Sequence, residues 1–153
     1  MLDTLTKRPA VDLPNARRIH GFPAWLQLVR AYNFMEARIS ADLRDDELTL
    51  AQFDVLVALV KKDAISQQEL ADHLLVTKGN IVGLIDRLSA RGFVERRASD
   101  TDRRVNLLQI TARGRRVVER ALPRQLKLIS RLMATLTPAE AALLEDLLSR
   151  LRS

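Results

Sequence analysis

Residues 75–111 read LVTKGNIVGLIDRLSARGFVERRASDTDRRVNLLQIT, and this stretch decides the fold. Ile81, Leu84, Ile85 and Leu88 recur at helical spacing, so they form one apolar stripe on a short helix. Thr77 can cap that helix. Gly92, directly after Arg91, supplies the left-handed residue that stops it. Residues 93–97 and 105–110 are strand candidates, joined by a polar loop rich in turn formers. In the second strand, Val105 and Leu107 share one face and Leu108 and Ile110 the other; alternation alone leaves the buried face open. A helix shaped to enter a groove, with an arginine-tipped hairpin behind it, suits reading duplex DNA better than catalysis.

Working upstream, Ser66 and Glu69 have capping-box spacing and open a helix running to about Leu75, with Leu70, Leu74 and Leu75 available to the core. Two short helices joined by a tight turn make a helix-turn-helix. A second capping box, Thr49 and Gln52, starts a helix whose Leu50, Phe53, Leu56, Val57 and Val60 mark one buried face. The acidic segment 42–47 reads as a solvated loop between helices in preference to a metal site. Before it, a helix is expected over about 16–43. Its Trp25, Leu28, Tyr32, Met35 and Ile39 form a heptad-like stripe that fits either core packing or contact with a partner helix. Residues 1–15, with Pro9 and Pro14, read as a flexible N-terminal arm.

Downstream, a long helix is expected over about 111–136, bent or interrupted at Pro123. Leu126, Ile129, Leu132, Met133 and Leu136 make its apolar stripe. Thr137-Pro138-Ala139-Glu140 is a third capping box, with proline at the first helical position. The last helix carries Leu143, Leu144, Leu147, Leu148 and Leu151, a broad stripe for the terminal helix of one small domain. The expected fold class is therefore mainly α with a small β-wing.

Between Arg87 and Arg116 stand nine arginines and three acids, an excess equal to the net charge of +6 of the whole chain. The positive field is localised, as expected of a surface that displaces counterions from DNA. With 153 residues and 47% hydrophobic content the chain can bury a core. It has no cysteine, which excludes a disulfide framework, a thiolate metal site and cysteine redox sensing. His20 and His73 are the only histidines, too few for a zinc site. No cofactor motif, glycine-rich phosphate loop or nucleophile–base pair stands out, so the chain is not read as an enzyme. No window resembles a signal peptide or reaches membrane-span length, which fits a cytoplasmic protein of a bacterium or archaeon.

The segments TKGNIVGLIDRLSARGFVERR and SDTDRRVNLLQIT resemble the MarR family of winged helix-turn-helix regulators, as does the element order over about 20–153. The resemblance implies a homodimer formed by N- and C-terminal helices on a pseudo-palindromic operator. It divides the chain into the arm at 1–15, an N-terminal dimerisation helix at 16–46, a DNA-binding lobe at 47–112 and C-terminal dimerisation helices at 113–153. Most members repress genes, and many release DNA on binding a small aromatic or lipophilic effector. Activation by the same fold, or a winged helix that binds protein, are the alternative readings. Peroxide-sensing relatives use a cysteine that this chain lacks, and many relatives carry threonine where Val82 stands.

Two recognition helices in a dimer must meet successive major grooves, with half-sites about one turn apart. The exposed face of 77–89, starting at Thr77, would do the reading. Lys78 can reach phosphate or guanine, Asn80 suits adenine, and Val82 can touch a thymine methyl. Gly79 lets the backbone approach the sugar-phosphate edge, and Arg87 suits phosphate. Ser66 and Gln67, with Gln68, start the preceding helix and can hold a phosphate there. Arg103 and Arg104 sit at the wing tip, where a guanidinium fits a narrow minor groove. The resemblance assigns that insertion to Arg104, with Asp102 orienting it, and leaves Arg103 for phosphate. His20, Trp25 and Tyr32 are candidates to line an effector cavity, with simple packing as the alternative.

Overall fold

The computed structural model describes residues 18–62, 64–74, 78–98 and 106–151. Its elements in chain order are α1 (Phe22–Leu43), a 3-10 turn (Arg44–Asp46), α2 (Leu50–Lys61), β1 (Ile65–Ser66), α3 (Gln67–Leu74), α4 (Lys78–Ala90), β2 (Val94–Ala98), β3 (Asn106–Ile110), α5 (Ala112–Met133) and α6 (Pro138–Arg150). This is the expected winged helix-turn-helix, mainly α with a small sheet. Contacts separate two units, with the division between Met35 and Glu36.

In the first unit, α1 begins at Phe22, later than the expected 16. Gly21 has φ +78°, and Trp25 N donates to its carbonyl at 2.9 Å. A left-handed residue just before the first turn, followed by a proline within it, sets the start there. Phe22 and Trp25 pack ring against ring at 5.5 Å.

In the second unit, the core gathers around α2. Val55, Leu56 and Leu59 are fully buried, and Gln52, Phe53 and Ala58 are nearly so. The single buried face expected for this helix is too narrow, because α3, α4, α5 and β3 all pack against it. Its start is the expected capping box. Thr49 Oγ1 accepts from Gln52 N at 3.2 Å, and Thr49 N donates to Gln52 Oε1 at 3.0 Å. From α4, Ile81, Ile85 and Leu88 enter the same core, with Leu84 at its edge. Leu70 joins them from α3.

The sheet has the order β1-β3-β2, antiparallel throughout. Val94 pairs with Ile110 and Arg96 with Leu108. Leu108 and Ile110 are buried, which settles the face that alternation left open. The strand β1 was not expected. Two residues carry no period, yet Ile65 pairs with Leu108 and is itself buried, so β1 closes the core side of the wing.

The acidic segment 42–47 is not a solvated loop. The Asp46 side chain is 1% exposed. Its Oδ1 accepts from Arg120 Nε at 2.8 Å, and its Oδ2 accepts from Arg124 Nη2 at 2.8 Å. Arg124 also reaches Asp42 Oδ2 at 3.1 Å, which Gln125 Nε2 approaches at 2.6 Å. Burial works to raise the Asp46 pKa, but the hydrogen bonds and charges of Arg120 and Arg124 outweigh it and hold the carboxyl below its ordinary value. Sequence could not pair acids and arginines more than seventy positions apart.

The long helix α5 starts at Thr111, whose Oγ1 accepts from Gly114 N at 3.0 Å, and it continues through Pro123 without interruption. Its first half buries Gly114, Val117, Val118 and Ala121. In its second half, Leu126 and Ile129 are exposed. Helix α6 opens with the expected capping box, Thr137 Oγ1 accepting from Glu140 N at 3.3 Å, and buries no residue at all. Leu143, for example, is 58% exposed.

Candidate nucleic-acid interface

Helix α3 is held at its start by its own residues. Ser66 N donates to Glu69 Oε2 at 2.8 Å, and Glu69 N donates to Ser66 Oγ at 3.2 Å. The amide and hydroxyl bonds from Ser66 lower the Glu69 pKa, so a carboxylate already compensates this helix end. Gln68 Nε2 is tied to Asp72 at 2.7 Å, while Gln67 has no such tether among the described residues. Of the three residues expected there, Ser66 thus works as the cap and Gln68 is tied to Asp72.

Helix α4 lies beside that start. Val82 is 44% exposed, and with Gln67, Gln68 and Ile81 it lines a cleft of about 290 Å³. Lys78, Gly79 and Asn80 form the first turn of α4. Thr77, Asp102, Arg103 and Arg104 lie outside the described residues. Ser89 turns its hydroxyl inward, where among the described residues it has no hydrogen-bond partner. Arg87 is exposed, and a Cβ placed at Gly83 would stand 3.9 Å from its Nη2, so its guanidinium folds back along α4.

The stop of α4 fixes the hairpin behind it. Gly92 has φ +70°; its N–H donates to Ser89 O and Phe93 N–H to Leu88 O, each at 2.9 Å. This pair of bonds is the Schellman motif that a left-handed glycine permits. Thr111 then ties the hairpin base together, its N–H donating to Phe93 O at 3.0 Å and its Oγ1 to Gly92 O at 2.7 Å. Arg96 on β2 reaches Asp86 on α4 at 2.5 Å, so the strand pair and the helix are joined again above the base. The described geometry therefore offers a helix start, an exposed helix face beside it, and a hairpin braced against that helix.

A MarR family model matches residues 47–105, which hold the helix-turn-helix and most of the hairpin. The repressor YetL of Bacillus subtilis, an HTH-type transcriptional regulator, is 34% identical over 110 residues, covering 68% of this chain and 66% of its own length. The structure of BpsR from Bordetella bronchiseptica, described with regulation of its DNA binding by 6-hydroxynicotinic acid, superposes with a TM-score of 0.77 at 30% identity, over 86% of this chain and 99% of that one. A cysteine-to-serine mutant of MarR from E. coli, complexed with operator DNA, superposes with a TM-score of 0.80 at 28% identity, over 84% and 93%. The chain belongs to the MarR family. It is a DNA-binding transcriptional regulator and not an enzyme.

In this MarR-family regulator part of the basic stripe faces a second cleft. Arg91, Arg113 and Arg116 line a separate cleft at the far end of α4. With 13 residues, α4 is about 20 Å long at 1.5 Å per residue, so that cleft lies away from the end that carries Lys78 and Asn80. His20 is exposed, as are Trp25 at 55% and Tyr32 at 63%; none of the three lines either cleft described above. Among the described residues no cluster of His, Asp and Glu could hold a metal, and no helix is long and apolar enough to cross a membrane.

Proposed function

We propose that this regulator is a cytoplasmic homodimeric repressor that binds a pseudo-palindromic operator and is released by a small aromatic acid or lipophilic effector. The observation that carries the DNA reading is the exposed Val82 face of α4 beside Gln67 at the start of α3. Thr77, Lys78, Gly79, Asn80 and Val82 read the major groove. Gln67, at the helix start capped by Ser66, and Arg87 hold phosphates. Arg104, oriented by Asp102, enters the minor groove, while Arg103 grips the backbone.

Dimerisation is supported by the apolar side chains left without cover in the single chain. Trp25, Leu28 and Tyr32 are exposed on α1, and Leu143, Leu144 and Leu147 on α6. Residues 16–46 and 113–153 would supply this interface and 47–112 the DNA-binding lobe, with 1–15 as an arm. Repression is supported by the similarity to YetL, and an aromatic acid effector by that to BpsR. His20, Trp25 and Tyr32, all exposed in the single chain, are the proposed effector contacts. An effector acts by favouring the conformer whose recognition helices miss the groove spacing.

The test is run-off transcription from a promoter that overlaps a footprinted operator. Repression predicts less transcript as protein is added. More transcript would make the protein an activator, and an unchanged level despite operator occupancy would remove the regulatory reading of that site.

A further inference from the structure

The cleft at the far end of α4 has a volume of about 520 Å³, and none of the residues proposed above to contact DNA lines it. Three segments converge on it: the 3-10 turn with Glu47, the α4 stop at Arg91 and Phe93, and the first two turns of α5 with Arg113 and Arg116. Most of its charges are already matched. Asp46 is held by Arg120 and Arg124. Arg91 donates to Glu47 O at 2.6 Å, and its Nη2 stands 3.5 Å from the Glu47 carboxylate.

Arg113 and Arg116 are different. Among the described residues neither has a carboxylate partner, and they stand one turn apart on α5. Arg113 is instead positioned over the Phe93 ring at 5.3 Å, which Arg91 also approaches at 4.6 Å. Adjacent guanidiniums repel, and orienting them costs side-chain entropy. Asp46 and Glu47, which also line the cleft, are engaged by Arg120, Arg124 and Arg91, so Arg113 and Arg116 are left to a ligand that brings its own negative charge. Arg forks favour planar or tetrahedral oxyanions, which accept two N–H bonds at once. Asp45 also lines the cleft and repels any anion, so a bound oxyanion must gain more from the two guanidiniums than it loses to that carboxylate.

We infer that this cleft is a binding site for a phosphate dianion, either free or as the ester of a small metabolite, held by Arg113 and Arg116. The site touches the wing base directly. Gly114, between the two arginines, packs so closely on the Phe93 carbonyl that a Cβ there would overlap it. A ligand held by Arg113 and Arg116 is therefore one contact away from the residue that opens β2.

The experiment is a heteronuclear NMR titration of the full chain with inorganic phosphate, and separately with glycerol 3-phosphate, at constant ionic strength set by chloride. Saturable shifts centred on Arg91–Phe93 and 113–117, lost in the Arg113→Gln/Arg116→Gln variant, support the site. Saturation by both probes marks a site for the phosphate group itself; saturation by glycerol 3-phosphate alone marks one for an ester. Shifts confined to the starts of α3 and α4, or shifts that persist in the variant, overturn it. Because both arginines are exposed, the variant should keep its fold. If its spectrum shows otherwise, Arg116→Gln alone is tested, and saturable shifts of undiminished affinity in that variant also overturn the site.

Discussion

At the residue scale, Val82 presents an exposed apolar side chain on the face of α4 that we propose reads DNA. Its C-methyls suit the C5-methyl of thymine. Replacing one thymine per half-site by deoxyuridine should weaken wild-type binding by several-fold, and the same replacement should leave Val82→Ala unaffected. A mobility-shift titration of the four combinations checks it; an equal penalty in both proteins would place the methyl elsewhere. Arg104→Ala should lower specific affinity by about 2 kcal/mol, roughly 30-fold, through loss of the minor-groove guanidinium. Its thermal melt should match that of the wild type. Unchanged operator binding would make the wing assignment wrong.

At the element scale, local signals were read well and remote ones were not. All three capping boxes formed, because Ser or Thr and a Glu or Gln three residues later satisfy each other without help from the rest of the chain. The strand β1 and the Asp46 clamp escaped, because each exists only through partners distant in sequence. The clamp has a measurable pH signature. Its folded pKa is depressed, so its contribution to stability is fully present above the ordinary carboxylate value of about 3.9 and is lost as pH falls through the lower folded value. Asp46→Asn should therefore cost about 2 kcal/mol at neutral pH, less than a fully buried pair because Arg120 is largely in water. The loss should shrink toward acid pH, as followed by denaturant unfolding between pH 7 and pH 2. A cost independent of pH would show that packing, not charge, holds the turn. Gly114→Ala should destabilise by about 2 kcal/mol or more, because its methyl would overlap the Phe93 carbonyl and press on Ile110. Calorimetric melting decides that one.

At the scale of the whole molecule, the resemblance of the central segment carried the family. Of the nine arginines in one run of sequence, Arg91, Arg113 and Arg116 line the cleft at the far end of α4, while Arg96 and Arg97 stand on β2. The broad leucine stripe at the C-terminus stays uncovered, since among the described residues of the single chain α6 buries none. Leu144→Glu combined with Leu147→Glu should convert a dimer to a monomer in sedimentation velocity and leave the wing lobe folded by circular dichroism. A dimer that survives both charges would move the interface off α6. The central claim is that this chain reads an operator as a symmetric pair. Its most direct test is a footprint titration on the DNA upstream of its own gene, with nonspecific competitor and at several salt concentrations. The expected result is protection of a near-palindrome with half-sites about one helical turn apart and a steep fall in affinity with salt. Protection of a single half-site by one chain, or binding blind to sequence at every salt concentration, would contradict it.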